Sequence, residues 1–76
     1  MKLGYIDTMS IGKKIKYLRE LKGMTQEELA NLLYVSKQAV SKWEKGVTLP
    51  DIENIIRLCE LFNVDINYLL DLEFNR

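Results

Sequence analysis

The stretch Thr25-Gln-Glu-Glu28 constrains this chain more than any other. A hydroxyl residue followed three positions later by a glutamate is a capping box. The Thr25 hydroxyl accepts from the Glu28 amide, and the Glu28 carboxylate accepts from the Thr25 amide. The box therefore predicts the start of a helix whose buried face is Leu29, Ala30 and Leu33. After a turn of about three residues, Ser36 supplies another cap, and the helix it opens ends before Gly46. Two short helices so close in sequence must abut one another, and the rest of the chain has to fold around that corner.

The flanking segments are helical as well. Ile11, Ile15 and Leu18 recur at one-face spacing, which predicts a first helix over roughly Ile11 to Lys22, with Ser10 as its N-cap. Gly23 provides the stop, where a left-handed residue is tolerated best. A fourth helix is expected from about Asp51 to Phe62, with Ile52, Ile55, Leu58, Cys59 and Phe62 facing inward. Asp65 can cap a short fifth helix from Ile66 to about Leu70. The expected fold class is all-α: a compact globule of five short helices with tight links. Residues 1–9 lack periodicity and contain a second methionine, Met9, so they read as an arm, an alternative start or an appended extension. The domain is expected over residues 10–71, with 72–76 as a tail.

A chain of 76 residues makes one domain and buries a modest core. No apolar run approaches the roughly 18–20 residues that cross a bilayer, and the N-terminus lacks the apolar stretch of a secretory signal. The single cysteine, Cys59, cannot pair internally, and its spacing makes it a small core residue. These features point to the reducing cytoplasm. The net charge is zero, but it is unevenly spread. Eight Lys/Arg and four acids lie between Ile11 and Thr48, whereas six acids and two arginines lie from Asp51 onward. A basic front and an acidic back can steer a polyanion to one side of the molecule, although each charge alone is an ordinary solvated group.

Two short helices joined by a tight turn form a helix-turn-helix unit, whose second helix enters the DNA major groove. At roughly 100° per residue, Val40 and Trp43 share one side of the third helix, with Ser36 nearby. Gln38, Lys42 and Lys45 point the other way, flanked by Lys37 and Ser41. That outer face carries no acid and no large apolar group, and its residue types can donate to phosphates and read base edges.

Three segments, Ile11-Gly-Lys-Lys-Ile-Lys-Tyr-Leu-Arg19, Gly23-Met-Thr-Gln-Glu-Glu-Leu-Ala30 and Val35-Ser-Lys-Gln-Ala-Val-Ser-Lys-Trp-Glu-Lys-Gly46, closely resemble the lambda-repressor-like (Cro/cI-type, Xre-like) helix-turn-helix family. Leu49-Pro-Asp-Ile-Glu-Asn-Ile-Ile-Arg-Leu58, Phe62-Asn-Val64 and Tyr68-Leu-Leu70 are similar to that family's last two helices. The resemblance runs from residue 10 to residue 71, with several motifs in order and register. It implies that Gln26 contacts a phosphate and braces the start of the recognition helix. It also implies that Lys37 and Gln38 hold the first base-reading positions and that Ser41 and Lys42 occupy the next turn. Lys37 and Lys42 can donate either to guanine or to phosphates. Gln38 suits bidentate pairing with adenine, and Ala39 can touch a thymine methyl or simply permit close approach. Arg19 and Glu44 match an inter-helix salt bridge, and Trp43 belongs to the wall between the third helix and the core.

Two positions depart from the family pattern. Tyr34 stands where many members have a turn glycine with positive φ, at a strain of roughly 1 kcal/mol if that geometry is kept. Val47 and Thr48 occupy a loop that often carries a basic residue, which leaves phosphate anchoring there to Lys45 and backbone amides.

An enzyme is not expected: there is no histidine, no phosphate-cradling glycine loop and no metal-spaced carboxylate cluster. No cofactor or metal is required. The expected partner is double-stranded DNA, and the expected output is regulation of transcription, with repression by promoter occupancy. A protein-interaction module on the same fold, such as an antitoxin or adaptor, is the alternative. An apolar or acidic outer face on the third helix would favour it. A single unit reads about half a site, so a homodimer on a two-fold operator is expected. Ile56, Leu61, Leu72 and Phe74 remain as unassigned apolar groups, and with Tyr68 and Leu69 they suggest a C-terminal dimer contact.

Overall fold

The computed structural model describes residues 8–70, which form five helices. These are α1 (Thr8–Leu21), α2 (Gln26–Leu33), α3 (Lys37–Glu44), α4 (Ile52–Phe62) and α5 (Ile66–Leu70). The all-α expectation holds, and α2 to α5 begin where their caps predict. The Thr25 hydroxyl accepts from Glu28 N at 3.0 Å while Thr25 N donates to Glu28 Oε1 at 2.8 Å. Ser36 Oγ accepts from Ala39 N at 3.0 Å, and Asp51 Oδ1 from Asn54 N at 2.9 Å. Asp65 Oδ1 accepts from Asn67 N at 2.7 Å.

The helix ends repeat one device. At the ends of α1, α2, α3 and α4 a residue turns left-handed: Gly23, Tyr34, Gly46 and Asn63, with φ of 68°, 58°, 75° and 54°. The amide of the residue after it then reaches back five positions. These bonds run from Met24 N to Arg19 O, Val35 N to Ala30 O, Val47 N to Lys42 O and Val64 N to Cys59 O, at 3.1, 3.0, 2.9 and 3.0 Å. They satisfy carbonyls that the helix itself leaves open and fold the chain sharply onto the core. Met24, Val35 and Val64 pack against the core directly after their turns. Tyr34 keeps the left-handed geometry without being glycine.

The core draws on every helix: Ile11, Ile15 and Leu18 from α1, Leu29, Ala30 and Leu33 from α2, Val40 and Trp43 from α3, Ile55, Leu58 and Phe62 from α4, and Leu69 and Leu70 from α5. The short α5 is also held from outside. Lys14 Nζ donates to Tyr68 O at 2.7 Å and lies 4.8 Å from the centre of the Tyr68 ring.

Four expectations need correction. α1 starts at Thr8, so Ser10 lies inside the helix rather than capping it, and Thr8 and Met9 do not belong to an arm. The cause is tertiary. The Met9 backbone lies against Gly46, where an added Cβ would come within 3.3 Å of Met9 Cα. Ile52 is 63% exposed, because the buried stripe of α4 centres on Ile55, Leu58 and Phe62 and Ile52 sits about 90° from that centre. Cys59, at the edge of the same stripe, is half-buried. Leu69 is 0% exposed, so it fills the core and has no surface for a dimer contact. The tail residues Leu72 and Phe74 lie outside the described residues.

Candidate nucleic-acid interface

The surface of interest is built on α3. The Ser36 cap starts the helix, and Val40 and Trp43, at 0% and 5% exposure, fix which side faces the core. Ala39 also leans inward and is half-buried against the core. Its methyl therefore serves the packing of α3 first, and only the remaining part can meet a base. Lys37, Gln38, Lys42 and Lys45 are exposed, and Ser41 is half-buried between them. This matches the side of the helix expected from the sequence. Among the described residues, none of these four long side chains makes an ion pair or hydrogen bond with the protein, so their donors are all available to a ligand. The Ser36 oxygen is committed as an acceptor to Ala39 N, while its hydroxyl hydrogen can still be donated.

Behind this face lies a charged network. Arg19, on α1, and Glu44, the last residue of α3, form a two-bond ion pair. Nε donates to Oε2 at 2.6 Å and Nη2 donates to Oε1 at 3.1 Å. Their side chains are 10% and 4% exposed. Arg19 Nη1 donates to Met24 O at 2.7 Å, just past the turn that ends α1. The hydrogen bond to Glu44 raises the Arg19 pKa above its ordinary value, and burial works in the opposite direction. The guanidinium therefore stays charged within the fold. This is the structural salt bridge that the resemblance implied for these two residues.

Gln26 joins the same network. It opens α2, is half-buried, and donates from Nε2 to Glu44 Oε1 at 3.0 Å. The expected brace to α3 exists, but it reaches the end of that helix and not its start. The carboxylate at the exit of α3 has acceptor capacity for the Gln26 amide beside the two Arg19 bonds. All three helices around the interface thus meet at one carboxylate.

One residue that positions this site was not singled out from the sequence. Gly12 faces the end of α3 so closely that a Cβ there would lie 2.2 Å from Trp43 O and 2.8 Å from Glu44 O. The available signal was a glycine inside a helical apolar pattern, where it costs helix stability unless packing demands it.

A family profile described as helix-turn-helix (HTH_3) matches residues 15–69. The HTH-type transcriptional activator BcrR of Enterococcus faecalis is 44% identical over 62 residues, which are 82% of this chain and 30% of BcrR. The antitoxin PezA of Streptococcus pneumoniae is 39% identical over 54 residues, 71% of this chain and 34% of PezA. The chain thus spans about a third of these relatives. The crystal structure of the P22 c2 repressor bound to a synthetic operator superposes with a TM-score of 0.76 at 27% identity, covering 96% of this chain and 100% of that one. With its five helices, its capped helix-turn-helix corner and these relatives, this chain belongs to the lambda-repressor-like helix-turn-helix family.

Proposed function

We propose that this chain is a sequence-specific, double-stranded-DNA-binding unit of a transcription regulator, docking α3 in the major groove. The observation that carries this reading is the outer face of α3: exposed, basic, amide-bearing and unpartnered among the described residues. Gln38 reads an adenine edge, and Lys37, Ser41 and Lys42 contact guanine edges or flanking phosphates. Gln26, Ser36 and Lys45 hold the backbone, and Ala39 permits close approach. Regulation within these residues works by occupancy, so repression of an overlapped promoter is the expected output. The unit needs no cofactor and works in the cytoplasm.

A homodimer on a two-fold operator supplies the second half-site. Ile56, 48% exposed on α4, and the exposed Tyr68 on α5 remain the best-placed residues of the expected contact, and Ile52 joins them. Leu61 is half-buried against the core and contributes only an edge. A second reading, a protein-binding module in the manner of an antitoxin or adaptor, is supported by the relative of that name.

Selection from a random duplex pool at several salt concentrations tests the proposal. Enrichment of a two-fold motif is expected, with Gln38→Ala relaxing one position in each half-site. Lys45→Ala should lower affinity for all sequences alike and reduce the salt slope by about one. Absence of binding at low salt would refute the DNA reading and favour a protein partner.

A further inference from the structure

Gln26 is oriented by residues on two other helices. A carboxylate only accepts, so the bond from Nε2 to Glu44 Oε1 at 3.0 Å fixes which end of the amide turns inward. Glu44 itself cannot swing away, because Arg19 grips both of its oxygens at 2.6 and 3.1 Å. Arg19 is tethered in turn to Met24 O at 2.7 Å. The chain of contacts runs from α1 through the end of α3 to the first residue of α2. One N–H of the Gln26 amide is used in this chain, and the other is left for an outside acceptor.

We propose that Glu44 is a positioning residue for DNA binding: clamped by Arg19, it holds the Gln26 amide with its second N–H directed at a backbone phosphate. This rests on the proposed docking of α3 and Gln26 on duplex DNA. The chemistry explains why position 44 carries glutamate. Three donors converge there, Arg19 Nε, Arg19 Nη2 and Gln26 Nε2, and two carboxylate oxygens accept all three. A glutamine would offer one oxygen and set its own NH2 against a donor. The ion pair also cancels the carboxylate charge, which would otherwise repel the phosphate that Gln26 is meant to meet.

The test is a double-mutant cycle in DNA affinity with Gln26→Ala, Glu44→Gln and the double variant. All are titrated against one selected duplex at fixed salt, below each variant's unfolding transition. Gln26→Ala should weaken binding about tenfold in the wild-type background, as for a hydrogen bond to a charged group. In the Glu44→Gln background the same change should cost less than about twofold, because the amide is already misdirected. Equal losses in both backgrounds would overturn the proposal, since Glu44 would then act on stability alone. So would an unchanged affinity of Gln26→Ala, which removes the phosphate contact while leaving the docking of α3 standing. Failure of the wild-type protein to bind any duplex would instead remove the DNA reading, and the proposal with it.

If Glu44→Gln does not fold, nuclear relaxation of the Gln26 side-chain amide in the free wild-type protein decides. Order close to that of the rigid backbone is expected, and a freely rotating amide would overturn the proposal.

Discussion

Replacing Gly12 with alanine sets helix propensity against packing, and the structure says which wins. In an exposed helix interior the change stabilises by roughly 0.5–1 kcal/mol, because glycine loses more backbone entropy on folding. Here the new Cβ would sit 2.2 Å from Trp43 O, 2.8 Å from Glu44 O and 3.0 Å from Glu44 C. All three are backbone atoms, so no rotamer change relieves the contact. α1 must move off the end of α3 by roughly 1 Å to restore ordinary van der Waals separation. Overpacking of this kind costs about 1–3 kcal/mol, and a backbone clash belongs at the top of that range. Subtracting the propensity gain leaves a net loss of about 2 kcal/mol. For a domain of this size that lowers Tm by roughly 8–16 °C. Thermal and urea unfolding followed by circular dichroism read the effect, with exposed Lys16→Ala as a near-neutral reference on the same helix. The DNA affinity of folded Gly12→Ala should also fall, since the displaced end of α3 carries Glu44. A Tm equal to or above wild type would refute the close approach of α1 and α3.

Other expectations follow from single features. Tyr34→Gly relieves roughly 1–2 kcal/mol of left-handed strain and costs roughly 0.5–1 kcal/mol in glycine backbone entropy, so a net gain of about 0.5–1 kcal/mol should raise Tm by about 2–8 °C; the ring is 89% exposed, so little packing is lost. A lower Tm would contradict the φ of 58° at that position. Arg19→Met or Glu44→Leu alone should destabilise by about 3–5 kcal/mol by stranding a buried charge, and the double variant by much less than their sum. Additive losses in chemical unfolding would contradict a buried pair. Burial, with smaller contributions from Asp65 and Glu60, raises the Cys59 thiol pKa above its ordinary value of 9.0. The unfolded chain therefore loses this proton first. The associated stability is present below pH 9.0 and is lost as pH rises through the folded value. The stability difference between wild type and Cys59→Ala should shrink as pH passes that range, and a difference independent of pH would refute the burial of the thiol.

The parts of this fold legible in the sequence are those decided locally. Thr25, Ser36, Asp51 and Asp65 announce their helices because a cap and its amide lie within a few residues of each other. The outward face of α3 follows from the spacing of Val40 and Trp43 alone. What escaped depends on residues distant in sequence. α1 extends back to Thr8 because Met9 lies on Gly46, and no periodicity near Met9 records that contact. Ile52 and Leu69 exchange their expected environments because a short apolar helix offers two acceptable stripes, and only packing selects one. Gln26 meets Glu44 across 18 positions, through a side chain whose residue type suits surface and interior alike. The same reasoning hid Gly12, whose role appears only when the end of α3 is placed beside it.

The repeated turn at four helix ends has a consequence for how this molecule would meet its ligand. Each link is closed by a bond that spans five residues, which restrains the angle between successive helices. Association then involves little further ordering of the described backbone. Among the described residues, the conformational cost falls mainly on the exposed long side chains Lys37, Gln38, Lys42 and Lys45, at about 0.5–1.5 kcal/mol for each that is immobilised. Adjustment between the surfaces would draw on these exposed side chains and on bending of the duplex itself, whose stiffness varies with base sequence. A rigid reader of this kind would select among operators by their deformability at steps it never touches.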